Sequence, residues 1–455
     1  MRSAFMDVKM KNWLDLRFGM FIHFGLYSML GGMWQGRKIT DGYSEQIRSH
    51  GKITKEEYEQ LAKQFNPIHF NPDSIAELAV DTGMKYIVIT AKHHDGFSMF
   101  HTKHSEFNIV DATPYGKDIV LQMSEACQRH GLKLGIYFSW IDWHYPYAAP
   151  MSKHNSDPIP DEHMEFNLYQ VEELLTNYGP IAEIWFDMGA PTAEQSRKMA
   201  ELVHHLQPNA LINGRIWNDQ GDFAVLGDNQ IPEFAIAGPW QTPASIYHAT
   251  WGYRSWQVRD DLEGKIAEQT SNLGKVLGLG GNYLLNIGPR GDGSVVDFEK
   301  ETLLGIGKWA SENQNVFSVE HAEELQRSGQ SVHVLGKERP CVLRDEDAKD
   351  LHHYTGKDYY SSKAVITEKR WLYQATSGNY EIFIEAKEIQ NDRQTVIVST
   401  AGETFTVDIT SGENRVPAGL LKLKDGGTYE MSLSLFRGPD FAKHSVNLTV
   451  LDVIM

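Results

Sequence analysis

The chain has 455 residues, 41% hydrophobic and 23% charged, values that predict a globular protein too long for one ordinary core, hence two domains. Its 43 basic residues stand against 60 acidic ones, and the net charge of −17 disfavours nucleic acid and anionic membrane surfaces as partners. Cys127 and Cys341 make neither a disulfide framework nor a metal-ligand pattern, and no apolar run reaches the roughly 18 residues of a membrane span.

The first eight residues lack an apolar signal core. That leaves a cytosolic protein, or a secreted or periplasmic one whose signal peptide preceded this numbering. Residues 17–25, Arg-Phe-Gly-Met-Phe-Ile-His-Phe-Gly, read as a first buried strand with His23 near its end. Trp34 follows in a loop among Gly31, Gly32 and Gly36, and helical periodicity covers 55–64 and 72–82. A second strand, 86–90, runs into Ala91-Lys-His-His-Asp-Gly-Phe97, where a strand-to-loop junction lets His93 and His94 turn toward one pocket. A metal pair is disfavoured there, because no helical His-x-x-x-His spacing accompanies them. Loop packing is the plain alternative.

An amphipathic helix over 118–130 leads to a third strand, 133–139, which carries Tyr137 and delivers Trp140 to an aromatic-rich exit. After a helix over 165–178 comes a fourth strand, Ile181 to Asp187, whose apolar run Ile184-Trp-Phe186 ends on the carboxylate of Asp187 and is bounded by Pro180 and Pro191. Such a run reads as a buried parallel strand, and in a barrel its C-terminal end faces the active site. A helix over 193–206 and a strand over 210–214 then deliver Arg215 and Trp217. From 216 to 257 the pattern reads as loops, holding Asp222, Asp228, Glu233, Trp240, Gln241, Trp251 and Tyr253. A helix over 260–274, a last strand over 281–288 and a helix over 296–311 close this part. After about residue 318 short alternating segments (331–335, 380–385, 395–399, 404–408, 445–451) replace the helices, the signature of an antiparallel sandwich. The expected architecture is therefore an α/β chain: a (β/α)8-like, TIM-type barrel over 1–317, then an antiparallel β-sandwich over 318–455.

The strand ends gather His23, His93, His94, Tyr137, Trp140, Asp187 and Arg215. The set has no Gly-rich phosphate cradle and no Gly-x-Ser-x-Gly elbow. Neutral hydrogen-bonding groups beside aromatic faces suit a neutral polyhydroxylated ligand, and a sugar fits. One strand-end carboxylate plus a second acid from a loop is the layout of a glycosidase.

Five motifs in order carry a specific resemblance: Arg17-Phe-Gly-Met-Phe-Ile-His-Phe-Gly25, Ala91-Lys-His-His-Asp-Gly-Phe97, Ile184-Trp-Phe-Asp187, Trp251-Gly-Tyr253 and the stretch Gly280 to Gly293. Together, over about residues 15–312, they resemble the α-L-fucosidases of glycoside hydrolase family 29. The resemblance implies a retaining, exo-acting hydrolase of terminal α-L-fucosides in oligosaccharides or glycoconjugates, working without cofactor or metal. It implies Asp187 as nucleophile and His23, His93, His94 and Tyr137 as binders of the fucose hydroxyls. Trp34, Trp140, Arg215 and Trp251 complete the expected substrate-binding set. The acid/base is open between Glu233, preferred because Pro232-Glu233 matches a Pro-Glu pair in relatives, and Asp228. Gln241 stands where other relatives place a Glu, and a Gln cannot give and retrieve a proton. Two further readings are a catalytically degenerate fucose-binding protein and a glycosidase for another sugar of fucose-like configuration.

Overall fold

A computed structural model describes residues 8–152, 156–322, 330–335, 340–355, 363–386, 393–410, 412, 415–436, 448 and 451–455. The chain divides into two compact units. One comprises residues 8–231 and 239–322 and is the α/β part. The other joins the described residues from 330 onward to a short excursion, Pro232–Gly238.

The α/β unit is built on eight parallel strands: β1 Phe18–Ile22, β2 Tyr86–Lys92, β3 Lys133–Ser139, β4 Ile181–Asp187, β5 Leu211–Ile212, β6 Ala224–Val225, β7 Trp240–Ser245 and β8 Asn282–Ile287. Each pairs with its neighbours in the chain except β5 with β6, which form the two edges of the sheet, and β1 pairs with β8, so the spatial order follows the chain order. The bridge between Asn213 and Phe223 joins the ends of β5 and β6 and completes a TIM-type barrel. Helices Pro72–Asp81, Ile119–Arg129, Asp161–Asn177, Ala193–Leu206, Leu262–Gly278 and Asp297–Glu312 flank the strands. Their starts are written locally. Thr192 forms a capping box with Gln195, as Thr54 does with Glu57 at the start of the helix Lys55–Ala62, and Asn71 caps a helix opened by Pro72. Among the described residues no helix is long and apolar enough to cross a membrane.

Sequence periodicity reads 216–257 as loops, and the structure places two strands there. The β7 segment, Trp-Gln-Thr-Pro-Ala-Ser, has no alternation and carries a proline, so it does not announce itself as a strand. It is tolerated because β6 pairs only with Trp240 and Gln241, so no neighbour on that side needs an N–H from Pro243. Gln241 finds partners inside the barrel.

The barrel interior is packed with rings: Phe21, Tyr86, Tyr137, Trp185 and Trp251 share one buried cluster with Trp13 and Phe223. Gly19 follows from this. A Cβ on its inward side would overlap the Tyr86 ring.

In the other unit, strands such as Lys363–Ala375, Gly378–Ala386, Arg393–Thr400, Glu403–Thr410 and Gly427–Leu435 form two mainly antiparallel sheets around a common apolar core. One pairing is parallel, Val332–Val334 with Lys363–Ala375. Trp371 and Tyr373 belong to that core, 1% and 0% exposed. Of the strand read over 445–451, residues 445–447, 449 and 450 lie outside the described residues, while Leu451–Ile454 is a strand.

Gly19→Ala tests the packing of the barrel interior. Forcing a methyl against Tyr86 should cost about 1–3 kcal/mol of stability in denaturant titration. An unchanged midpoint would mean the ring can move aside.

Candidate active site

All eight strands deliver a residue at their C-terminal ends. His23 follows β1, His93 and His94 follow β2, Tyr137 lies near the end of β3, and Asp187 ends β4. Arg215 sits on a 3-10 turn (Gly214–Ile216) after β5, Asp228 follows β6, Trp251 follows β7 and Asn286 lies in β8.

Asp187 is the hub. One carboxylate oxygen accepts the Tyr137 hydroxyl at 2.8 Å and the other accepts Arg215 Nη1 at 2.8 Å. The chain turns away sharply after it, with Met188 at φ 53° and Gly189 at φ 80°. A Cβ on Gly189 would also press on Ile159 and Trp140, so glycine is required twice over. Arg215 is held from behind, where its carbonyl accepts the Trp140 indole N–H at 3.2 Å. Its second terminal nitrogen, Nη2, binds Asp228 Oδ1 at 2.8 Å. One planar guanidinium thus bridges two carboxylates, whose bonded oxygens lie no more than about 8 Å apart.

The two acids differ in surroundings. The Asp228 side chain is 17% exposed. Burial pushes its pKa up to about 6, Arg215 pulls against this, Asp187 adds to it, and a hydrogen bond with Trp251 pulls back down.

The three histidines are buried and uncharged at neutral pH. Desolvation takes His23 down to about 3, His94 to about 4, and His93 well below the ordinary range. Their partners fix which nitrogen carries the proton. Asn286 Nδ2 donates to the Trp251 carbonyl at 2.7 Å, so its Oδ1 faces His23 Nδ1 at 2.7 Å and accepts. Ser139 donates to the Ile141 carbonyl at 2.8 Å, so its oxygen accepts from His94 Nδ1 at 2.7 Å. Both rings therefore carry a bare lone pair on Nε2. That of His94 stands 3.9 Å from Asp187 Oδ2. This is no ion pair while the ring is neutral, and the gap suits a hydroxyl donor. His93 stacks on Tyr137 with centroids 5.3 Å apart, and its buried Nδ1 has no partner. Trp251 stands 5.3 Å from His23, ring to ring, and its loop is anchored by Glu45, whose Oε2 accepts the N–H groups of Trp251 and Gly252 at 3.1 and 2.8 Å. Among the described residues no group of three His, Cys, Asp or Glu could hold a metal ion.

The structure thus brings together His23, His93, His94, Tyr137, Asp187, Arg215, Asp228 and Trp251. Trp140 is fully buried, stacked on Phe186 at 4.6 Å, and serves the Arg215 turn. Trp34 is half-buried on the hairpin of Met33–Trp34 with Arg37–Lys38, and none of the hydrogen bonds or ring contacts among the described residues joins it to this group. Glu233 is exposed and belongs to the Pro232–Gly238 excursion, which bonds to the backbone of His352 through Ala235 and Ala237. Asn286, Ser139 and Glu45 are site residues that sequence reading passed over. Asn286 lies inside a quoted motif, but Ser139 and Glu45 carry no signal of their own.

The coupling of the two acids is measurable. Carbon-13 NMR should show Asp228 titrating near pH 6, and Asp187→Asn should lower that value by removing a like charge and freeing Arg215. An unmoved Asp228 would contradict the bridge.

Comparison with known proteins gives the family. The α-L-fucosidase family profile matches residues 3–315. The tissue α-L-fucosidase of Rattus norvegicus is 28% identical over 374 residues, 76% of this chain and 74% of its own, and that of Homo sapiens is 29% identical over 328 residues, 66% and 67%. The Lactobacillus casei α-L-fucosidase solved with its α-L-fucose product is 34% identical, with a TM-score of 0.60 over 68% of this chain and 99% of its own. The α-L-fucosidase from Vibrio sp. strain EJY3 shares the fold across 98% of both chains, with a TM-score of 0.62 at 23% identity. With more than half its length matched by the family profile and its strand ends carrying a carboxylate pair among neutral histidines, the chain belongs to the α-L-fucosidase family of glycoside hydrolases.

Proposed function

We propose that the protein is a retaining exo-α-L-fucosidase acting on terminal α-L-fucosides, with Asp187 as nucleophile and Asp228, rather than Glu233, as acid/base. The observation that carries this reading is the pair of unequal carboxylates on one Arg215 guanidinium. Asp187 accepts two donors, Tyr137 and Arg215, which aim its carboxylate from the strand end as a nucleophile requires. Asp228 is mostly buried, and burial lifts its pKa to about 6, as a proton donor requires. Glu233 is exposed and sits on the excursion bonded to His352, which gives it no such environment.

In the first step an Asp187 oxygen bonds to the anomeric carbon while the bond to the leaving oxygen breaks. Asp228 gives that oxygen its proton, and Arg215 meets the new charge on Asp228. In the second step Asp228 takes a proton from water, the water oxygen bonds to the anomeric carbon, and the bond to Asp187 breaks. Two inversions leave the α configuration. The Nε2 lone pairs of His23 and His94, with the His93 ring beside them, serve the sugar hydroxyls, and Trp251 offers a ring face. Glycans ending in α-linked fucose are the substrate class.

The acid/base assignment has a direct test. Asp228→Ala should slow a natural fucoside by about 100-fold or more. Cleavage of 4-nitrophenyl α-L-fucoside, whose leaving group needs no proton, should suffer far less. Added azide should speed the variant and yield α-fucosyl azide, because azide would attack from the side Asp228 has vacated. Glu233→Ala should stay within about threefold on both substrates. The reverse pattern would return the role to Glu233.

The pH profile follows from the same groups. The acid works only when protonated, so kcat/KM should fall as pH rises through about 6, the value burial gives Asp228. His94 offers its lone pair only when neutral, so kcat/KM should also fall as pH drops through about 4. A profile flat from pH 5 to 8 would contradict the role of Asp228, and one flat from pH 5 down to 3 that of His94.

A further inference from the structure

Beneath the carboxylate pair, two buried polar side chains, Glu183 and Gln241, stand among the rings of the barrel interior. Uncompensated polar groups in a core are costly, so their arrangement needs a reason. Glu183 precedes Trp185 by two residues and Asp187 by four on β4, so the three side chains share the inner face. Glu183 is fully buried, accepts the Trp13 indole N–H at 2.5 Å, and accepts Gln241 Nε2 at 3.1 and 3.2 Å. The same nitrogen donates to the Tyr86 hydroxyl at 3.0 Å. With its NH2 group engaged on that side, Gln241 turns its oxygen to the Trp185 indole N–H at 2.8 Å. An indole nitrogen only donates, so the sense of this amide is fixed. The face of the Trp185 ring then carries the Arg215 guanidinium, 4.5 Å from its centroid, and Arg215 holds Asp187 and Asp228.

We propose that Glu183 and Gln241 are positioning residues for the reaction: they lock the Trp185 ring, the platform on which Arg215 lies, and so fix where the two carboxylates stand. This rests on the reading of Asp187 and Asp228 as nucleophile and acid/base. Neither Glu183 nor Gln241 touches substrate. An apolar filling of the same volume would hold the barrel together, yet it would leave the Trp185 ring free to tilt and the guanidinium free to follow it.

The test compares Trp185→Phe, which keeps an aromatic face and removes the N–H, with Gln241→Leu, Glu183→Leu and Glu183→Gln. On 4-nitrophenyl α-L-fucoside the first three should lose about 10-fold or more in kcat, with KM within about threefold, because the groups are misplaced rather than removed. The alkaline limb of kcat/KM should move to higher pH, since Asp228 loses part of the pull of Arg215. Trp185→Phe combined with Gln241→Leu should be no worse than the worse single variant, because both act through one ring. Glu183→Gln, which keeps an acceptor for Gln241, should recover most of what Glu183→Leu loses. Lower melting temperatures with kcat and the alkaline limb unchanged, or losses that simply add, would overturn the proposal. Where Gln241→Leu or Glu183→Leu fails to fold, Trp185→Phe alone decides on the same readouts. A folded wild type with no fucosidase activity would sink the functional reading instead. The positioning claim then stands or falls on the carbon-13 titration of Asp228, which should move upward in Trp185→Phe and would stay put if the network did nothing.

Discussion

The site depends on one guanidinium shared by two carboxylates. At an effective dielectric of about 20, two carboxylates about 6 Å apart repel by about 3 kcal/mol, while a cation about 4 Å from each returns about 4 kcal/mol per contact. Without Arg215 both acids could not stay close and ionised. With it they can, but on unequal terms. Asp187 has Tyr137 as a second donor. Asp228 has Trp251 instead, and burial pushes it toward its neutral form. Lysine could not do the same work, because a point charge on a flexible stem lacks two parallel N–H groups in a rigid fork. On the proposed reading, the inequality that Arg215 permits divides one pair of acids into a nucleophile and a proton donor.

The rest of the site is kept electrically quiet. Three histidines in one buried pocket would repel as cations, and desolvation holds them neutral. Asn286 and Ser139 then set the proton on Nδ1 of His23 and His94, leaving Nε2 lone pairs to meet hydroxyl donors. The same arrangement would serve an anionic ligand badly, because lone pairs and the Asp187 charge would face it. A neutral polyol is the ligand class these groups complement.

Much of the fold was legible because β1 to β4 and β8 are largely apolar segments with chemistry at their ends. Strands β6 and β7 were not. Ala224–Val225 is too short to show a period, and Trp240–Ser245 is half polar with an internal proline. Its strand character comes from β8 beside it and from Gln241 finding partners in the barrel. The strand-end rule located Asp187 and the histidines, since a strand fixes direction as well as position. It could not rank Asp228 against Glu233, five residues apart in one irregular loop, because burial and ion pairing decide between them. The resemblance pointed to the Pro-Glu pair, whereas Asp228 is the acid in hydrogen-bond contact with Arg215. Ser139 and Glu45 were invisible for another reason: they orient other groups, and a residue that acts through a neighbour leaves no motif of its own. In the sandwich, alternation announced strands, and Trp371 and Tyr373 are core side chains there rather than exposed platforms.

The most direct measurement is proton NMR of the sugar first released from 4-nitrophenyl α-L-fucoside by the wild type, beside Asp187→Ala with and without azide. The account predicts α-fucose as the first product and a loss of several orders of magnitude in Asp187→Ala. It predicts β-fucosyl azide when azide occupies the place of the missing carboxylate. β-Fucose as the first product, or an Asp187→Ala variant that turns over near the wild-type rate, would contradict it.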